Sequence, residues 1–175
     1  FLEKRSYDES NFSVNVIMDY DDAVLLPGSG DPGENLEILS KAGFSALMLR
    51  AQNGEYDKLT LEALRYYKLK AGFLTETPFV AEDYVSSYLT IGADYPLLLA
   101  DSYETAGSLS GADAAGLVIG RYLGREDEAP AEYGRCISVL RVEETLAFEN
   151  DSFITEPMVQ TMADAVIHEG VRVLY

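Results

Sequence analysis

Eight charged side chains stand where strand-like stretches of this sequence end: Asp19, Asp21 and Asp22, then Arg50, Asp101 with Glu104, and Arg141 with Glu143. Such a rim offers two kinds of chemistry. Carboxylates grouped at a strand end supply the oxygen ligands that a hard cation such as Mg²⁺ or Ca²⁺ requires. Arginines at the same end take a carboxylate or phosphate in bidentate fashion. In a sheet of parallel strands both would meet, because ligands sit beyond the carboxyl ends of the strands. The alternative is that these charges solvate loop ends and pair with one another. Asp19, Asp21, Asp22, Arg50, Asp101 and Arg141 are therefore the candidate ligand-binding residues, and no catalytic residue is assigned.

Other motifs point less far. Gly28-Ser29-Gly30-Asp31-Pro32-Gly33 matches GxGxxG in letters, with Arg50 downstream where a 2′-phosphate partner would stand. Its first strand ends at Asp19, so the tight strand-to-glycine turn is missing. Asp31 brings a negative charge, and Pro32 removes an amide from the cradle. A surface loop is the expected reading. His168 lacks a GxSxG partner and stands before Gly170, where a cation favours a helix C-terminus. Cys136, in an apolar run, reads as a small buried hydrophobe.

The elements that must position the rim follow from periodicity. Strands are expected at 13–19, 45–49, 96–100, 136–140 and 171–175. Leu36, Leu39 and Ala42 recur at helical spacing before Gly43. Leu61, Leu64 and Tyr67 mark a helix ending at Gly72. The small-residue stretch 112–123 predicts a helix, and 157–169 another, with Pro157 in its first turn. Lys41-Ala42-Gly43-Phe44 recurs as Lys70-Ala71-Gly72-Phe73, an offset of 29 residues that suits one strand–helix unit. Helices alternating with strands imply parallel pairing. The expected fold is α/β, a mainly parallel sheet flanked by helices, either open or a partial (β/α)-barrel-like arc.

Composition narrows the partners. The chain has 175 residues with 13 basic and 30 acidic side chains, a net charge of −17. That field repels phosphate backbones, so no nucleic-acid partner is expected. One His and one Cys remove multi-His metal sites, cysteine cages and internal disulfides. No apolar run reaches the roughly 18–20 residues that span a bilayer. The length suits a single α/β domain over 1–175. A start without Met and an end in strand-like sequence lead us to expect a piece of a longer protein. The 12 tyrosines, with no Trp, hint at a sugar-binding surface.

Two resemblances add expectations. Val16-Ile17-Met18-Asp19-Tyr20-Asp21-Asp22 resembles the opening motif of haloacid-dehalogenase-like phosphotransferases, departing from it at Ala23, where Thr or Val is usual. That resemblance implies an Asp19 nucleophile, Asp21 as acid/base and Mg²⁺, in a soluble cytoplasmic enzyme. The second covers about a third of the chain. Arg5, Asn11 and Val14 lead into Val16 to Asp22; Leu39 to Leu47 follows, and Gly170 to Tyr175 ends it. These segments are similar to an uncharacterised family of bacterial membrane proteins with an extracytoplasmic α/β region between membrane helices. This second resemblance implies an envelope-associated binding or scaffolding module, held to the membrane by segments outside this chain, with a cell-envelope polymer or a protein as partner. It transfers no catalytic residues.

Overall fold

The computed structural model describes residues 14–26, 30–50, 58–74, 86–91, 95–99, 118–122, 136–142 and 155–175. In chain order the elements are β1 (Asn15–Asp19), α1 (Tyr20–Val24), α2 (Pro32–Ala42), β2 (Ala46–Arg50), α3 (Lys58–Tyr66) and β3 (Lys70–Leu74). There follow β4 (Thr90–Ile91), β5 (Tyr95–Leu99), β6 (Val118–Tyr122), β7 (Cys136–Leu140), α4 (Glu156–His168) and β8 (Val173–Leu174).

The α/β fold and its parallel sheet are as the sequence implies. Strand β1 pairs with β2, β2 with β3, and β3 with β5, all parallel. The ladder continues through β5–β6, β6–β7 and β7–β8, also parallel, and β8 returns to β1 through Asn15↔Val173 and Val16↔Leu174. The pairings thus form a ring of seven parallel strands. Of the two forms left open by periodicity, the arc is the nearer, and here it closes. Among the described residues only the two-residue β4 runs antiparallel, against β5. Closure removes the exposed strand edges that an open sheet must protect.

Alternation along each strand divides the side chains between two apolar layers. Ile17, Ala46, Met48, Leu74, Leu97, Leu99, Val139 and Val173 share one buried cluster, which fills the interior. Leu47, Leu49, Ala71 and Phe73 point the other way and pack against Leu36 and Leu39 of α2 and Leu61 and Leu64 of α3. Leu140 and Val171 likewise meet Ala165 of α4. The interior is tight at Gly72, where a Cβ would lie 2.5 Å from the Met48 sulfur.

Local chemistry accounts for the helix ends. The Asp31 side chain accepts from the Gly33 backbone N–H at 2.9 Å and caps α2, with Pro32 at its first position. Pro32 and Gly33 of the GxGxxG match are therefore the first two residues of a helix that Asp31 caps, and Gly30 precedes it as a bend; Gly28 and Ser29 lie outside the described residues. Gly43 ends that helix at φ 94°, with the Phe44 N–H donating to the Leu39 carbonyl at 3.1 Å. Helix α3 ends by the same device at Lys68, φ 61°, where the Leu69 N–H reaches the Leu64 carbonyl at 2.9 Å.

Two expectations are corrected here. Gly72 caps no helix; it lies inside β3, pairing with Met48. The two Lys-Ala-Gly-Phe segments thus occupy different structures, the first closing a helix and the second forming a strand. Over the described part of 112–123 the chain is strand β6, because Val118 and Ile119 are β-branched and the strand finds partners on both sides. Cys136 opens β7, but its side chain lies outside the described set.

Candidate functional site at the barrel mouth

Asp19, Arg141 and Tyr175 belong to the inward-facing alternation of β1, β7 and β8, each at or just beyond its strand's carboxyl end. Closing β8 between β1 and β7 brings them together. The Tyr175 hydroxyl donates to Oδ1 of Asp19 at 2.5 Å, a short bond of the kind expected when the acceptor is a carboxylate. The Arg141 guanidinium carbon lies 5.3 Å from the centre of the Tyr175 ring, within cation–π range. Main-chain bonds fix the frame. The Tyr175 N–H donates to the Leu140 carbonyl at 2.9 Å, and the Val142 N–H to the Tyr175 carbonyl at 2.7 Å.

These three residues line a cavity of about 250 Å³ together with Met18, Asp22 and Val142. Asp19 also ends β1 and stands at the N-cap of α1, yet its side chain makes no capping bond there. Its carboxylate faces Tyr175 instead. Helix α1 then swings Asp22 to the cavity and leaves Asp21 exposed and outside the described lining.

Of the six expected ligand-binding residues, the structure gathers Asp19, Asp22 and Arg141. Arg50 ends β2 on the inward alternation but is exposed and takes no part in the lining. Asp101, Glu104 and Glu143 lie outside the described residues. Tyr175 was not among the candidates. The rule that found Asp19 and Arg141, a polar group at a strand's carboxyl end, applies equally to it; its aromatic ring hid it among packing residues.

Asp19 and Asp22 are the two carboxylates that a Mg²⁺ or Ca²⁺ ion would meet. Among the described residues no group of three or more His, Cys, Asp or Glu side chains converges for a metal. His168 occupies the last turn of α4, is exposed, and takes no part in the lining of the mouth. No protein-family model matches the chain, and no curated protein sequence matches it.

Proposed function

We propose that this barrel is an extracytoplasmic, envelope-associated binding module whose ligand occupies the mouth between β1, β7 and β8. The observation that carries the binding half is the Tyr175–Asp19 hydrogen bond with Arg141 held over the same ring. An acceptor, a donor and an aromatic body are fixed in place before any ligand arrives, which lowers the ordering cost of binding. The carboxyl mouth is also where parallel (β/α) barrels bind their ligands. The resemblance of Val16 to Asp22, Leu39 to Leu47 and Gly170 to Tyr175 to membrane proteins with an extracytoplasmic α/β region supports the location. None of the helices among the described residues is long and apolar enough to cross a membrane. Attachment would come from segments outside this chain.

The rival reading is a Mg²⁺-dependent phosphotransferase using Asp19 with Asp21. The geometry favours it less. Oδ1 of Asp19 is engaged by Tyr175, and Asp21 stands outside the cavity that holds Asp19.

Protease added to protoplasts that express the full-length protein tests the location. Cleavage within this domain before lysis is the expected result. Protection until lysis would place the domain in the cytoplasm and remove the envelope reading. Hydrolysis of p-nitrophenyl phosphate with Mg²⁺, lost in Asp19→Asn, would install the phosphotransferase in its place.

A further inference from the structure

Resting on the mouth as a binding site, we infer that its ligand is a neutral sugar ring. Hydroxyls of a sugar donate and accept at once, so they are held best where a fixed acceptor and a fixed donor stand side by side. The mouth has that pairing. Asp19 offers only acceptors, Arg141 only donors, and the Tyr175 oxygen keeps accepting capacity while its proton goes to Asp19. Neither charged group is loosely tethered: one is held by the Tyr175 hydroxyl and the other lies against its ring.

Size and charge narrow the class further. The cavity of about 250 Å³ falls below the roughly 300–1,000 Å³ of pockets for drug-sized molecules, so it suits a single ring with its substituents. Two carboxylates at the mouth and a net charge of −17 oppose phosphates, sulfates and uronic acids. A small cation is attracted by that field but offers no acceptor to the Arg141 guanidinium and faces its charge. A neutral polyol incurs neither penalty and uses both groups.

Saturation-transfer NMR on the 175-residue chain tests this, with glucose, galactose, mannose and N-acetylglucosamine as probes. Glucuronate, inorganic phosphate, glycine and Mg²⁺ are the competitors. The expected result is transfer to the ring protons of at least one neutral sugar, undisturbed by glucuronate or phosphate. Asp19→Asn and Arg141→Gln should each weaken it by about tenfold, the loss of one charge-assisted hydrogen bond. Tyr175→Phe should weaken it by a smaller factor, because it frees Asp19 without removing it. Lys41→Gln, on the outer layer, should leave it unchanged. Melting temperatures of the variants separate lost binding from lost folding. The competition in the unmodified chain needs no variant at all. If glycine, phosphate or Mg²⁺ raises the melting temperature of the unmodified chain but not of Asp19→Asn and Arg141→Gln, while no neutral sugar shows transfer, the sugar class is overturned and the mouth stands as a site. If no probe responds there, both fall.

Discussion

Replacing Gly72 by Ala tests the closed barrel at its tightest point. In an ordinary strand the change would help by about 0.5–1 kcal/mol, because glycine loses more backbone freedom on folding. Here the new Cβ would lie 2.5 Å from the Met48 sulfur and 2.6 Å from its terminal methyl, with the Leu97 carbonyl oxygen at 3.5 Å. The methionine end is flexible, but its surroundings are full: Leu97, Leu99, Val139 and Val173 are all 0% exposed. Overpacking a filled core costs about 1–3 kcal/mol, centred on about 2, so after the backbone gain the variant should be less stable by about 1 kcal/mol. For a chain of this length that lowers the melting temperature by about 2–4 °C. Urea unfolding followed by far-ultraviolet circular dichroism measures it, with the slope expected to stay constant. Met48→Val, which removes the clashing atoms, should couple favourably with Gly72→Ala by at least about 0.5 kcal/mol in a double-mutant cycle. A Gly72→Ala variant as stable as its parent, or one that adds independently to Met48→Val, would refute the packed interior.

Three further outcomes follow from the helix ends and the core. Lys68→Gly should stabilise by about 0.5–1 kcal/mol, since Lys68 holds φ 61° without glycine's freedom, while Gly43→Ala, with open space around it, should cost about 1 kcal/mol from φ 94° alone; equilibrium unfolding reads both, and equal signs would contradict the shared cap. Asn35 is buried, and its amide donates to the Val24 and Leu26 carbonyls at 3.2 and 3.4 Å, so Asn35→Leu should lose about 1–3 kcal/mol by orphaning them; a loss near zero in urea unfolding would show that water replaces the amide. Burial raises the Tyr88 hydroxyl above its usual range, so the folded state keeps a proton that the unfolded chain sheds near pH 10. The stability difference between the parent and Tyr88→Phe should be flat below about pH 9 and shrink as pH rises past 10; a difference that grows with alkalinity would reverse the sign of that burial effect.

Much of the mouth is legible in the amino-acid sequence. One rule finds Asp19 and Arg141: polar groups at the carboxyl ends of parallel strands face a common space, and applying it needs only the strand ends. Tyr175 satisfies it too, but no spacing in the sequence says that the last strand lies between the first and the seventh. That adjacency comes from Asn15↔Val173 and Val139↔Val173, pairings between residues remote in the chain.

The sequence by itself determined what depends on neighbours in the chain. The apolar runs of β1, β2, β5 and β7 read as strands because their backbone must be buried, and α2 and α4 read as helices because their apolar spacing is local. Gly43 and Gly170, at φ 94° and 72°, sit where only a left-handed residue closes a helix. The tertiary structure decided the rest. Lys41 to Phe44 and Lys70 to Phe73 are the same four residues, yet one ends a helix and the other is a barrel strand, because Lys70 to Phe73 finds a ladder partner in β2, where the Met48 side chain lies against Gly72, while Gly43 faces open space. Val118 and Ile119 became strand through partners on β5 and β7. Whether the sheet stays open or closes depends on hydrogen bonds between its first and last strands, and side-chain periodicity carries no information about which strand edges meet.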